Sequence, residues 1–351
     1  MKIKAIVFEG PNEVALRDFD MPPCGPKEVI TETVYSFVSP GTELRVLSGL
    51  AQSKGKFPLI PGYSWVGRVI EVGSVLKGWR KGDLVSGRHG LPFTPNVTQM
   101  YGGQVSHNRC EVSGDAAVRL PDGADPWDYV CAELASISWR GVSAAFPSPG
   151  ESAVVVGQGL IGAFSAKWLL VHGAKVIAVD LDESRLARAR KWGAIALNAN
   201  REDLAETIQA LLGGRGSDIA VEASGSVAGA QLAAAVLRQP LFGRFPSDYR
   251  IASLHTDAHS WPRLVLQASY YNTTFESPTP AGLMKGEGAL VLRPQDRGID
   301  DRLQVIERIR AGDLKTADIV DAPVPVEKAP AAYLELRDHP ERRSALAFQW
   351  K

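Results

Sequence analysis

Cysteine is scarce in this sequence: there are three in 351 residues, at Cys24, Cys110 and Cys131. An odd number so widely spaced supports neither a disulfide framework nor a CxxC metal knuckle, and points to a reducing cytoplasm. Excess charge of either sign is also missing, since 39 lysines and arginines balance 39 aspartates and glutamates. With no run of basic residues, nothing in the composition favours nucleic acid or an anionic membrane as a partner. Long apolar runs are absent too. The most apolar stretch, residues 153–179, is broken by glycines and by Lys167, His172 and Lys175, so it cannot cross a bilayer unaided. The opening MKIKAIVFEG alternates like a strand and lacks the features of a secretory signal, so a soluble cytoplasmic protein is expected.

What is present falls into two rhythms. Up to about Pro121 the chain runs in short β-rich segments (IKAIVF, EVALRDF, EVITETVYSFV, SWVGRVIEVG, DLVSG) separated by Gly, Pro and Asn-Glu turns, which reads as a barrel-like β domain. From Asp125 longer helical patterns alternate with buried-type strands. The patterns predict helices over 127–146, 160–172, 183–192 and 201–212, and strands over 152–156, 175–179 and 218–222. Strand, helix, strand in this order predicts a parallel, doubly wound sheet. A tail with helices over 300–311 and 329–337 and a last strand SALAFQW is short for a domain of its own. The expected organisation is therefore an α/β chain with a β domain over 1–124, completed by 292–351, around a nucleotide-binding domain over 125–291.

The chemistry-bearing motif is in SAVVVGQGLIGAFSAKWLL. Gly157, Gly159 and Gly162 stand in G-x-G-x-x-G spacing after four apolar strand residues and before a helix. The first glycine permits a tight turn, the second lets the backbone approach a pyrophosphate, and the third lets helix and strand pack closely. The amides at Leu160 and Ile161 then open the helix toward the phosphates. The spacing alone is weak, because glycines punctuate many such turns. Asp180 sharpens it: 23 positions after Gly157, at the end of the next strand, its carboxylate can accept both ribose hydroxyls and repel a 2′-phosphate. The cofactor expected is NAD rather than NADP. Arg185 either lies over the adenine or reaches a phosphate, or is a solvated arginine at a helix start. Ala223, Ser224 and Gly225, in EASGS, are expected at the end of a central strand beside the nicotinamide, acting through their backbone.

Three blocks, PLIPGYSWVGRVIEVGSVLKGWRKGDLV, VVVGQGLIG and VIAVDLDESRLARARKWGA, resemble the medium-chain dehydrogenase/reductase superfamily over nearly the whole chain. SFVSPGTE together with VVVGQGLIG is most similar to its group containing the bacteriochlorophyllide hydroxyethyl dehydrogenase and sugar or cyclitol dehydrogenases. The resemblance implies a GroES-like β domain made from both chain ends, an inserted Rossmann domain, and oxidoreductase chemistry. It also marks departures. Zinc-dependent members carry a cysteine where this chain has Ser39-Pro40 and a His-Glu pair where it has Tyr63-Ser64, and the four-cysteine lobe for structural zinc is missing. Only Glu133 matches a carboxylate position, and one carboxylate cannot hold zinc. No metal is expected, unless His89 or His107 rebuilds an unorthodox site.

Without a metal, oxidising an alcohol with NAD⁺ still needs a group to take the hydroxyl proton. His89 is the first choice, since an ordinary imidazole titrates near neutrality. Tyr63 either transfers a proton or fills the volume that zinc would occupy. Glu133 orients a sugar hydroxyl or the histidine, or is simply a helix-start carboxylate; Thr42 bonds the reacting oxygen or caps a turn. The expected function is NAD-dependent, zinc-independent oxidation of a secondary hydroxyl on a sugar, cyclitol or other cyclic metabolite. Its competitors are a quinone or enoyl reductase, which Asp180 disfavours, and a non-catalytic NAD-binding sensor. The aromatic stretch 261–275 occupies the region where the superfamily usually pairs Rossmann sheets, so a homodimer or homotetramer is expected.

Overall fold

The structure, a computed structural model, describes residues 1–50, 56–112, 114–238, 261–268, 288–294, 298–320, 322–340 and 345–351. Their contacts divide the chain into two compact units, Met1–Ser136 with Gly298–Lys351, and Ile137–Arg297.

The first unit is built on two sheets. In the smaller, Lys2–Gly10 pairs antiparallel with Glu13–Asp20 and Leu59–Ile60, and Leu59–Ile60 pairs with Thr98–Gln99. The larger runs Val324–Pro325, Ala347–Gln349, Glu28–Phe37, Trp65–Val72, Leu84–Gly87, Ala117–Arg119, with His107–Glu111 also paired to Glu28–Phe37. Both chain ends thus meet in one sheet, where Ala347 faces Phe37 and Gln349 faces Tyr35. Burial drives this closure. Phe348 and Leu346 from the tail, and Tyr333 from the helix Ala329–Asp338, pack on Ile6, Phe8, Leu47 and Leu59. Phe8 meets Tyr333 edge-on at 5.1 Å. A large apolar side chain taken fully out of water contributes roughly 1.5–3 kcal/mol, so the tail is bound by several such terms.

The second unit is a six-stranded parallel sheet among the described residues. Counted along the chain from Ser152–Val156, its strands lie in the order third, second, first, fourth, fifth, sixth. The reversal falls between Ser152–Val156 and Ile219–Glu222, which places two strand ends beside an opening in a doubly wound sheet. Such strands are covered on both faces and therefore read as continuous apolar runs. Val154, Val156, Ile177, Val179, Ala220 and Leu264 supply the core, with Ile208 from the helix Leu204–Leu211.

Three sequence expectations need correction, and a fourth falls largely outside the described residues. The helix expected over 127–146 is two helices, Pro126–Tyr129 and Ala132–Ala144, and the Val130 carbonyl between them accepts the Ser64 hydroxyl. Residues 125–136 belong with the β-rich unit: Arg302 donates to Glu133, and Thr316 to the Asp128 carbonyl, tying this segment to the returning tail. The helix expected from 201 begins at Leu204, after Asp203 at its N-cap. The stretch 261–275 is described only to 268, and there the strand Arg263–Leu266 is interior, flanked by Ile219–Glu222 and Leu290–Leu292. Among the described strands, the sheet edge on that side is Leu290–Leu292.

Candidate active site

In the parallel-sheet unit, the glycine loop leaves the strand Ser152–Val156 with Gly157 at φ +88°, a conformation that a side chain would strain. A Cβ at Gly157 would meet the Ser224 amide nitrogen at 2.6 Å, and one at Gly162 would meet the Gly157 carbonyl oxygen at 1.8 Å. Around Gly159 there is open space. Gly159 is the N-cap of the helix Leu160–Val171, whose first turn carries no acidic residue. The first-turn amides, Leu160 and Ile161 among them, have no partner within the helix and sit at its positive end. An open glycine cradle before unpaired amides fits a pyrophosphate.

Asp180 closes the strand Lys175–Asp180 and is 9% exposed. One carboxylate oxygen accepts from the Gln158 amide and the other from the Asp182 amide at 2.9 Å. Each keeps a further lone pair for a ribose hydroxyl. Arg185 Nη1 stands 3.8 Å from Asp180 and its Nε 3.8 Å from Asp182, while Arg188 donates to the Gln158 carbonyl at 2.7 Å. Burial, then the charge of Arg185, pushes Arg188 down to about 10. On the neighbouring strand end the buried Glu222 accepts from the amides of Ser224 at 2.7 Å and Gly225 at 3.0 Å, and from the Ser224 hydroxyl at 2.5 Å. Ala223 donates its amide to Val156. Backbone carbonyls are therefore what Ala223, Ser224 and Gly225 have left to offer.

In the β-rich unit a second cluster forms. The helix Pro40–Leu47 starts at Ser39, which places Thr42 in its first turn. Gly62, at φ +91°, turns the chain so that Tyr63 is 7% exposed and donates its hydroxyl to Ser39 Oγ at 2.6 Å, with Thr42 Oγ1 at 3.4 Å. The Tyr63 ring meets Tyr101 edge-on at 5.3 Å, and Tyr101 stacks on His89 at 5.4 Å. His89 Nε2 lies 3.8 Å from Asp115 Oδ1. Burial alone would raise the Asp115 carboxyl; the charge and hydrogen bond of Arg88, with His89 and Arg302, bring it below the usual range. Behind the cluster, Glu43 accepts from the Ser39 amide at 2.8 Å, from Tyr333 Oη at 2.5 Å and from Gln104 at 3.3 Å. Burial pushes Glu43 up to about 7 against those hydrogen bonds.

Tyr63, with Thr42 beside its hydroxyl, is thus joined to His89 through Tyr101. Glu133 lies in the first turn of Ala132–Ala144, the helix-start position that was one of its expected readings. It is 1% exposed, with Arg88 Nε at 3.4 Å from one carboxylate oxygen and Arg302 Nη1 at 3.2 Å from the other. A carboxylate held by two guanidinium groups has less left with which to orient a sugar hydroxyl or the histidine. Sequence reasoning missed Tyr101, Asp115, Arg88 and Glu43; only the adjacency of Arg88 to His89 gave a signal. His172 caps a helix C-terminus through the Trp168 carbonyl, and His339 ends the last helix. His107 lies 3.0 Å from Ser106 Oγ and lines a separate pocket of about 310 Å³ with Glu32, Trp350 and Lys351. His255 and His259 lie outside the described residues.

Comparison with known proteins adds to this geometry. The zinc-binding dehydrogenase family matches over residues 161–244. An alcohol dehydrogenase of Cupriavidus necator is 28% identical over 269 residues, covering 64% of this chain and 71% of that protein. A protein of Agrobacterium fabrum, named as a proposed D-xylulose reductase, is 30% identical over 264 residues, covering 68% and 75%. The chain belongs to the medium-chain dehydrogenase/reductase superfamily. The alcohol dehydrogenase of Thermus sp. ATN1 shares the fold of such a dehydrogenase over 99% of both chains, at TM-score 0.79 and 23% identity. As a medium-chain dehydrogenase, the chain is an oxidoreductase of the alcohol dehydrogenase type. Among the described residues, those at the expected zinc-ligand positions do not suit the metal in the family's description. Tyr63 and Ser39 bond one another, Ser64 donates to the Val130 carbonyl at 2.8 Å, and Glu133 is ion-paired. Among the described residues no group of three or more His, Cys, Asp or Glu converges as a metal site, whereas zinc takes about four such ligands.

Proposed function

We propose that this medium-chain dehydrogenase uses NAD, without zinc, to oxidise a secondary hydroxyl of a sugar, cyclitol or other cyclic metabolite. The observation that carries the cofactor choice is Asp180. Its two oxygens keep spare lone pairs at the end of the second strand, where a 2′-phosphate would meet a buried negative charge. Arg185, 3.8 Å from that carboxylate, is already drawn toward it and toward Asp182. Held by the glycine loop and Asp180, NAD⁺ would supply a hydride acceptor for the carbinol carbon. The protein's task is the proton. His89 takes it from the substrate hydroxyl, and the Asp115 carboxylate at 3.8 Å favours the imidazolium that results. Tyr63 and Thr42 supply hydroxyls that fix the reacting oxygen. Glu133 keeps Arg88 in place beside Asp115.

A polyol-like substrate is supported by the sugar-related name of the Agrobacterium relative and by the hydroxyl-rich lining of the Tyr63 cluster. Three free cysteines fit a reducing cytoplasm, and no helix among the described residues is long and apolar enough to cross a membrane. A homodimer or homotetramer, with Leu290–Leu292 at the pairing edge, completes the reading. The test is a screen of NAD⁺ and NADP⁺ reduction over polyols, sugars and cyclitols with chelator present. Activity with NAD⁺ on a cyclic secondary alcohol is expected; activity only on quinones or enoyl compounds with NADPH contradicts it.

A further inference from the structure

Tyr101 holds φ +68°, in the left-handed region that bulky side chains seldom enter. Such strain persists only where neighbouring contacts hold it, and it collects at functional sites. Three consecutive residues meet Tyr101. The Arg88 guanidinium lies 6.0 Å from the ring centroid, the His89 imidazole stacks on the ring at 5.4 Å and 26°, and the Gly90 amide donates to the Tyr101 carbonyl at 3.0 Å. The Tyr63 ring closes against it edge-on. The ring makes the contacts with Arg88, His89 and Tyr63, and the backbone carbonyl the one with Gly90.

We propose that Tyr101 is a positioning residue for His89: its left-handed backbone presents a ring that orients the imidazole beside Asp115. This rests on the reading in which His89 takes the substrate proton. Among the described residues, the groups near the imidazole include the Tyr101 ring, Asp115 at 3.8 Å, and Arg88, which is paired to Asp115. A ring face favours a cation beside it, so the ring also helps the imidazolium form.

The test follows the His89 ring proton by NMR across pH in the full chain, for wild type, Tyr101→Phe, Tyr101→Leu and Tyr101→Gly. Glycine accepts the left-handed backbone, so that variant keeps the fold if leucine does not. Phenylalanine should leave the His89 midpoint where it is; leucine and glycine should lower it by about half a pH unit, the size of a weak cation–ring contact. Midpoints unchanged in leucine and glycine, or an equal fall in phenylalanine, overturn the proposal. The acidic limb of the kcat/KM profile, measured with an alcohol from the screen, should move with the midpoint. A midpoint that falls while the activity profile stays put supports Tyr101 as the positioner and removes His89 as the proton acceptor.

Discussion

Replacing Glu43 by glutamine should flatten the pH dependence of stability. Glu43 is 1% exposed in the β-rich unit, and its pKa is raised from 4.5 to about 7. The sign follows from linkage. Between these values the folded chain keeps a proton that the unfolded chain has released, so stability falls as pH rises through the window and levels off above it. At about 1.36 kcal/mol per unit, the fall amounts to roughly 3 kcal/mol between pH 4.5 and 7. Glutamine is close in shape to the protonated acid and cannot ionise, so Glu43→Gln should match wild type near pH 5 and exceed it above pH 7. The carboxylates whose pKa is lowered, Asp115 and Asp218 among them, act in the opposite sense below about pH 4 and cancel in the comparison. Urea unfolding at half-unit steps from pH 5 to 8 reads the difference. Parallel curves for the two proteins would refute the reasoning, because Glu43 would then be ionised in both states.

Glu133→Ala should cost about 3–5 kcal/mol in the same assay, since it leaves the buried guanidinium groups of Arg88 and Arg302 without their shared anion; a loss below about 1 kcal/mol would contradict the pairing. His89→Ala should lower kcat about 10²-fold while NAD⁺ affinity stays nearly unchanged, and retention of most of kcat would send the proton to Tyr63. Gly162→Val should abolish dinucleotide binding in titration, because even its Cβ would stand 1.8 Å from the Gly157 carbonyl oxygen; unchanged affinity would show that the loop is not the cradle.

The parallel sheet was legible because its signals are local. An apolar run such as SAVVV, followed at once by three spaced glycines, dictates strand, turn and helix without reference to distant residues. The place of Asp180 at the end of the next strand was legible for the same reason, although its bonds to the Gln158 and Asp182 amides were not. Contacts across long stretches of sequence stayed hidden. Glu133 was legible as a helix-start carboxylate but not as the partner of Arg302, which lies 169 residues away. Glu43 carried no sign of its burial, since Tyr333 is 290 residues distant. Tyr101 was missed for a different reason: its role comes from a left-handed backbone that no periodicity encodes.

The central claim is that Asp180 and the glycine loop select NAD. Calorimetric titration of NADH and NADPH into wild type and Asp180→Ala tests it most directly. The account predicts that wild type binds NADH at least about tenfold more tightly than NADPH, a difference of about 1.4 kcal/mol, and that the alanine variant loses most of that preference. Equal wild-type affinities, or a preference that survives removal of the carboxylate, would contradict it.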